Sequence, residues 1–266
     1  MRVTLLGSGT SSGVPVIGCT CPVCTSDNPR NRRLRCSALV EFNQRALLID
    51  TATDLRQQAL RFGIARIDAV LYTHAHADHI HGIDELRVFN LRHLHEIPCY
   101  GNRDTISRIT SYFDYIFASE PGESFRPFLQ PHQVEGPFEL FATTIVPIPL
   151  WHGSLPVLGW RIGDFAYLTD TNRLPDESLP LLADLQVLVL DALRPRPHPT
   201  HLSIDQAVEL AQRLQARRTV LTHLSHLIDH DQVQKDLPPG VELAYDGQVF
   251  ELDERGSISG QKGGPR

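Results

Sequence analysis

The feature that most constrains this chain is the stretch Leu71–His79, an apolar run that turns within two residues into metal-binding side chains. Its apolar beginning predicts the end of a short buried strand. Side chains two apart point the same way in an extended chain, so His74 and His76 would face one point. Asp78 and His79 would open the following helix and face a neighbouring point. Imidazole and carboxylate are ligands of divalent metals, and four of them within six residues indicate a metal centre rather than packing.

Apolar strands end in the same residue types at four further places, namely Asp50, His152, Asp170 and His223. In mixed α/β architectures, functional groups gather where strand ends share one edge. If these edges coincide, two metal sites follow. The first would use His74, His76 and His152, the second would use Asp78, His79 and His223, and Asp170 would bridge them. For Asp50 two interpretations stay open: a supporting partner of a metal-bound histidine, or the cap of a helix over residues 51–60.

Two metals about 3.5–4 Å apart share a water molecule and lower its pKa towards neutrality. They also hold an anionic substrate oxygen and neutralise charge as the transition state forms. Each metal of a catalytic site keeps an open position. The nitrogen and oxygen ligands suit zinc, manganese or iron, so the sequence predicts a catalytic pair of divalent ions without selecting the element.

Length and charge limit the remaining choices. The chain has 266 residues and a formal net charge of −6, which argues against a basic nucleic-acid-binding protein but leaves a local basic patch open. No apolar run reaches the length needed to cross a bilayer. The segment Met1–Gly7 is too short and too soon interrupted by glycine for a signal peptide. We therefore expect a cytoplasmic protein with a single large domain or two small ones.

Three of the five cysteines crowd together at Cys19, Cys21 and Cys24. Disulfides between residues this close are geometrically poor, and the total is odd, so metal ligation in a reducing compartment fits better than a disulfide framework. A redox pair of Cys21 and Cys24 is the competing interpretation. Cys36 and Cys99 have no evident partners and are expected to be plain buried thiols.

Periodicity predicts one helix over residues 80–94 and an amphipathic helix over residues 203–216, whose apolar positions recur at helical spacing. Residues 118–138, rich in proline and phenylalanine, are predicted to form a loop wall. A last β segment is expected over residues 241–252, with a turn at Asp246-Gly247.

The motif Thr-His-Ala-His-Ala-Asp-His at residues 73–79, followed in order by His152, Asp170 and His223, resembles the metallo-β-lactamase superfamily. The resemblance implies an α+β fold, a four-layer αβ/βα sandwich of two mixed β-sheets flanked by helices, with the metals at one edge of the sheets. It covers most of the chain. We therefore expect a single hydrolase domain over residues 1–255 and a flexible C-terminal tail over residues 256–266, a Gly-rich polar stretch.

Two further stretches, Gly18–Cys24 and Leu221–His226, are similar to the PhnP phosphodiesterases. The resemblance implies a structural zinc held by Cys19, Cys21, Cys24 and His226. Three thiolates and one imidazole make a closed tetrahedral set. Residues 18–36, which we call the cysteine excursion, carry little apolar surface. A bound metal would supply the folding free energy that such a segment lacks.

The same resemblance implies hydrolysis of a small phosphodiester, such as 5-phosphoribosyl 1,2-cyclic phosphate or a 2′,3′-cyclic nucleotide, by a hydroxide shared between the metals. Asp78, like Asp170, would hold the metals and orient that hydroxide. His201 is the candidate general acid, with His198 as its rival. Arg194 and Arg196 would bind a second substrate phosphate, although surface arginines explain them equally well.

Three alternatives stay open. A tRNA 3′-processing endonuclease has the same metal set, but it usually projects a basic tRNA-binding arm, and this chain has no such insertion. The same metals would also serve a thioester or lactam hydrolase. A carrier or scaffold without activity is the third, and the intact ligand set argues against it. A homodimer is suggested by the resemblance alone. The expected substrate is a small phosphodiester, and neither a nucleic acid nor a membrane is expected as a binding partner.

Overall fold

The apolar strands pair into two β-sheets. A computed structural model describes residues 1–93, 95–118 and 125–252 of the chain. Over these residues each sheet has seven strands. The first contains β1 (Arg2–Gly7), β2 (Ser37–Phe42), β3 (Arg45–Ile49), β4 (Ala69–Leu71), β5 (Ile97–Gly101), β6 (Leu129–Gln133) and β14 (Val249–Glu251). The second contains β7 (Phe138–Leu140), β8 (Thr143–His152), β9 (Leu155–Ile162), β10 (Phe165–Leu168), β11 (Val187–Asp191), β12 (Arg218–Thr222) and β13 (Val241–Leu243). The strand orders are β14-β1-β2-β3-β4-β5-β6 and β13-β12-β11-β10-β9-β8-β7.

Helices cover the outer face of each sheet. The first sheet carries α1 (Leu55–Phe62), α2 (Ala77–Ile80), α3 (Leu86–His93), α4 (Arg103–Tyr112) and α5 (Asp114–Phe117). The second carries α6 (Ile204–Leu214) and α7 (His230–Asp236). The result is the four-layer sandwich of two mixed sheets that the resemblance implied, so the predicted fold is confirmed.

The continuous apolar strands are explained by burial on both faces. In β3, Leu47 and Ile49 point into the core between the sheets, whereas Leu48 points outwards under the helices. In β4, Leu71 points inwards and Val70 outwards. Because side chains alternate along a strand, such strands need apolar residues at every position.

The strand directions bring the ligand-type residues to one edge. Strands β3 to β6 are mutually parallel, and so are β10 to β13. Parallel strands end together, so their carboxyl ends lie side by side. The two edges are also joined to each other, since Leu158 N donates to Thr73 O at 3.0 Å. The coincidence of edges that the two predicted metal sites require is therefore present.

The single helix predicted over residues 80–94 is wrong. Helix α2 ends at Ile80, a 3₁₀ turn covers Ile83–Glu85, and α3 starts anew at Leu86. The break lies at Gly82, whose backbone packs so closely that a Cβ atom there would lie 2.1 Å from Ala52 O. Only glycine permits so close an approach. The apolar periodicity that predicted the helix carries no information about this contact.

Two other expectations need correction. Residues 118–138 are not all loop, because β6 extends the first sheet there, and Pro131 is tolerated since β6 is an edge strand. Residues 119–124 lie outside the described part of the chain. The last β segment is divided between the sheets: β13 belongs to the second and β14 to the first, and the turn at Asp246-Gly247 crosses between them.

The predicted domain limits stay a prediction, and the tail over residues 256–266 lies outside the described residues. Within residues 1–93, 95–118 and 125–252, no helix combines the length and apolar character needed to cross a bilayer.

Candidate metal centre

Three of the ligand-type residues leave their strands with left-handed backbone. The φ angles are 60° at Asp50, 53° at Asp170 and 61° at His223. Such backbone costs a non-glycine residue of the order of 1–3 kcal/mol and concentrates at functional sites. The three residues follow β3, β10 and β12, so the same strained turn directs three side chains to one edge.

The seven predicted catalytic ligands converge there in two groups. The first ligand group comprises His74, His76, His152 and Asp170, and the second comprises Asp78, His79, Asp170 and His223. Within each group the ligand atoms all lie within 4.8 Å of one another. Asp170 belongs to both: its Oδ2 lies 3.7 Å from His74 Nε2, and its Oδ1 lies 3.3 Å from the Nε2 atoms of His79 and His223. The carboxylate therefore has the position that the sequence predicted for a bridging ligand.

The donor atoms fit divalent ions. The Nε2 atoms of His74, His79 and His223 are buried and have no hydrogen-bond partner among the described residues. An unpaired buried polar atom costs about 1–3 kcal/mol, so three of them at one point are costly unless a cation lies among them. Imidazole nitrogen and carboxylate oxygen suit zinc, manganese and iron.

Asp50 fixes the orientation of one histidine in each group. His79 Nδ1 donates to Asp50 Oδ2 at 2.7 Å. Thr73 donates to the same carboxylate through its backbone N and its Oγ1, both at 2.8 Å. His74 Nδ1 donates in turn to Thr73 Oγ1 at 3.0 Å. Both rings thus turn Nε2 towards the predicted metal positions. Asp50 makes the contact expected of a supporting partner, and the residue at the N-cap of α1 is Asp54 instead.

Asp50→Asn is therefore expected to weaken metal binding about 10- to 100-fold, the usual effect of losing a supporting carboxylate. Asparagine replaces one of the two accepting oxygens with an NH₂ group, and that group cannot accept a hydrogen bond from His79 Nδ1 or Thr73. Chelator competition measures the affinity. Asp68→Asn is the matched control, since Asp68 is also buried but lies just before β4, at the other end of the strand, where it pairs with Arg45 and Arg66. Unchanged affinity in Asp50→Asn would contradict the role.

The first ligand group is poor in negative charge. Burial lowers the pKa of His74 well below its ordinary value, and it also lowers the pKa values of His76 and His152. All three imidazoles are therefore neutral near pH 7, which is the form that binds metals. His152 Nδ1 donates to Thr200 O at 2.8 Å, so its Nε2 is left for a ligand.

The second ligand group is rich in negative charge. Burial opposes a charge on His79, but Asp170, Asp78 and Asp50 outweigh it and raise its pKa well above the ordinary value. Against the same opposition, Asp170 raises the pKa of His223. The carboxylates thus favour positive charge at this group. A divalent ion bound there would supply it.

His201 lies directly beside both ligand groups. Its ring centroid is 4.6 Å from that of His152 and 4.7 Å from that of His223, on which it stacks. His201 Nδ1 donates to Asp191 Oδ1 at 3.0 Å, so Nε2 is the nitrogen that remains for proton exchange. Asp191 also accepts from the backbone N of Asp170 at 3.1 Å and thereby couples the acid candidate to the bridging residue.

The other residues predicted around the acid are placed less favourably. His198 Nδ1 accepts hydrogen bonds from Thr200 N and Thr200 Oγ1 at 3.3 and 3.2 Å. Arg194 donates to the carbonyls of Arg196 and Pro197, within its own loop. Arg196 is exposed. A role of the two arginines in phosphate binding stays a prediction.

The four residues implied as structural zinc ligands also converge. The Sγ atoms of Cys19, Cys21 and Cys24 lie 3.3, 3.5 and 3.6 Å from His226 Nδ1. The backbone N of Cys24 donates to Cys21 Sγ, and this contact leads the effects that lower the Cys21 pKa to about 6. Three thiols around one imidazole nitrogen have the composition of a tetrahedral zinc site.

Sequence reasoning missed the residue that joins this cysteine group to the catalytic edge. That residue is Arg33, which is 1% exposed and donates to Ser225 O at 2.9 Å and to Ile228 O at 2.8 Å. Burial lowers its pKa to about 10. These hydrogen bonds attach the cysteine excursion to the loop that carries both His223 and His226. In the sequence Arg33 is one of several arginines in a polar segment, and nothing marks it as buried.

Comparison with known proteins agrees with this geometry. The family model described as beta-lactamase superfamily domain matches residues 45–224. A protein of Porphyromonas gingivalis named octanoyltransferase is 38% identical over 261 residues, which are 96% of this chain and 52% of that protein, so the chain spans about half the length of this relative. Ribonuclease Z of Mycobacterium sp. (strain KMS) is 26% identical over 254 residues, covering 84% of each chain.

A solved structure described as a new diphosphatase from the PhnP family is also similar. It superposes with a TM-score of 0.89 and 43% sequence identity, covering 95% of this chain and 98% of that one. The similarity extends over nearly the whole of both chains. Together with the family match, it shows that this chain belongs to the metallo-β-lactamase superfamily of hydrolases and resembles its PhnP family.

Proposed function

We propose that this hydrolase cleaves a small phosphodiester with two divalent ions, one in each ligand group. The observation that carries the proposal is Asp170, whose two oxygens face different sets of imidazoles. Two ions held by these residues would supply Lewis acidity for phosphoryl oxygens and would lower the pKa of a bound water molecule.

The chain's own residues complete the chemistry. Asp78 and Asp170, whose oxygens belong to the ligand groups, would hold the ions and orient the attacking water. Attack on phosphorus expels an oxygen on the opposite side, and a sugar alkoxide leaves poorly unless it gains a proton. His201 Nε2 can donate that proton, and Asp191 keeps the ring in place through Nδ1. A general acid contributes about 10²- to 10⁴-fold to such a step.

A second candidate is hydrolysis of a diphosphate linkage. It is favoured by the 43% identical structure, which is described as a diphosphatase. Both reactions attack phosphorus, and they differ in the leaving group. A phosphate leaves more readily than an alkoxide, so it depends less on a general acid. The dependence of each substrate on His201 therefore separates the two functions.

The test is a screen of linear phosphodiesters, cyclic phosphodiesters and diphosphate diesters with enzyme loaded with zinc, manganese or iron. We expect turnover of phosphodiesters at the highest kcat/KM. Faster turnover of diphosphates would establish the second candidate. Precursor tRNA, a thioester and a lactam are assayed beside the screen. Cleavage of one of them in the absence of both activities would contradict the proposal and would favour the nuclease suggested by the ribonuclease Z relative or the other hydrolase alternatives.

His201→Ala should lower kcat about 10²- to 10⁴-fold on a diester with an alkoxide leaving group. It should change turnover of a p-nitrophenyl diester far less, because p-nitrophenolate leaves without protonation. Elemental analysis should show that both catalytic metals remain. His198→Ala is the control and should leave both rates close to those of the wild type. Equal losses on the two leaving groups would exclude His201 as the acid.

A further inference from the structure

A cavity of about 260 Å³ opens beside the first ligand group. Its walls are His74 and His76 of the metal centre, Leu155 and Pro156 at the start of β9, and Asp104 and Arg108 of α4. A substrate held at the metals can therefore extend into it. Among the residues named, Arg108 provides the only side chain with a permanent positive charge.

The cavity is held open by a fixed wall. Asn102 caps α4, since its Oδ1 accepts from Thr105 N at 2.8 Å. The same side chain donates through Nδ2 to Pro156 O at 3.2 Å. One residue thus ties the start of α4 to the start of β9, and the two walls keep their separation without a bound molecule.

The Arg108 guanidinium has donors to spare. Its Nη1 donates to Tyr112 Oη at 3.2 Å. Over residues 1–93, 95–118 and 125–252 it takes part in no ion pair within 4.0 Å, although Asp104 lies one turn earlier on the same helix. A guanidinium has five N–H donors in a planar fork that matches phosphate oxygens. Arg108 can therefore accept a substrate anion without first losing a carboxylate partner.

The position of His201 decides which part of the substrate enters the cavity. His201 contacts His152 and His223, whereas the cavity is lined by His74 and His76. The leaving oxygen must lie beside the acid that protonates it. The cavity therefore receives the group that remains bonded to phosphorus after cleavage.

Resting on the phosphodiesterase function proposed above, we propose that Arg108 is a specificity-determining residue. It selects diesters whose retained group carries a second anion, as a phosphorylated sugar does. The second anion would bind the guanidinium through charge-assisted hydrogen bonds, which are stronger than neutral ones. Arg108 then contributes to substrate binding and takes no part in the bond cleavage.

Two chromogenic substrates test this assignment. Thymidine 5′-(p-nitrophenyl phosphate) carries no second anion, and its 3′-phosphorylated derivative carries one on the retained nucleoside. In Arg108→Gln, kcat/KM for the 3′-phosphorylated substrate should fall about 10- to 100-fold through KM, as expected for loss of one or two charge-assisted hydrogen bonds. The unphosphorylated substrate should be cleaved as by the wild type.

Arg103→Gln is the matched control, since Arg103 is exposed on the same helix and does not line the cavity. Arg108→Lys should recover part of the preference because it retains the charge. If Arg108→Gln and the wild type have equal kinetics on both substrates, or if the variant loses equally on both, the role of Arg108 is wrong. The proposed phosphodiesterase function is not affected by that result. If the fully metal-loaded wild type cleaves neither of these substrates nor any diester of the screen, the proposed function itself is wrong.

Discussion

Asp170→Ala should remove at least one catalytic metal and lower kcat/KM by about 10³-fold or more, equivalent to about 4 kcal/mol of transition-state stabilisation. The expectation follows from the two oxygens of this side chain, which lie 3.3–3.7 Å from imidazole nitrogens of both ligand groups. Without them the second group retains a single carboxylate, Asp78, and the first group retains none.

Elemental analysis after dialysis measures the metal equivalents, and the p-nitrophenyl diester measures the rate. Asp170→Asn is the informative companion, because it keeps the shape of the side chain and removes its charge. Asp176→Ala is the control, since that carboxylate lies six residues downstream with its side chain 98% exposed. Two catalytic metals retained by Asp170→Ala would contradict the bridging assignment.

Cys21→Ser should remove one zinc equivalent and lower the free energy of unfolding by about 4 kcal/mol or more, the range reached when a structural metal is lost. The reason is the packing of the cysteine excursion. The small apolar cluster around it has three buried members: Val23 and Cys24 of the excursion, and Val14 just before it. A cluster of this size cannot offset the chain entropy of the excursion, which amounts to about 1–2 kcal/mol per residue.

Thermal unfolding and zinc stoichiometry test this second prediction together. The catalytic metal equivalents should persist, because none of the seven catalytic ligands is changed. Cys99→Ala is the control: Cys99 is a buried thiol in β5, far along the chain from the cysteine group, and its loss should leave the zinc content intact. Unaltered zinc content in Cys21→Ser would instead favour the redox pair of Cys21 and Cys24.

Local signals predicted much of the secondary structure. Helix α6 shows why: its apolar positions recur at helical spacing and predicted it. The structure adds a capping box at its start, where Ser203 accepts from Gln206 N and the Gln206 side chain accepts from Ser203 N. The break at Gly82 shows the limit. Glycine is tolerated inside a helical pattern, and only the proximity of Ala52 O shows that the helical pattern is broken around this residue.

The sequence by itself determined the chemistry of the candidate site. Donor residues such as His74 and His76 must lie together because they are two apart in an extended chain. The order of the later ligands carries the resemblance to the metallo-β-lactamase superfamily, and that resemblance implied the fold. These are local spacings and residue types, which the chain carries in any conformation.

Only the tertiary structure decided how the predicted donors are supported. It joined Asp50 to His79 directly and to His74 through Thr73, buried Arg33 under the loop of His226, and divided the last β segment between two sheets. These arrangements join residues far apart in sequence, and they exist because strands from distant parts of the chain pack with their ends at a common edge. No local pattern encodes that meeting, since the free energy that holds it comes from burial of the core between the sheets.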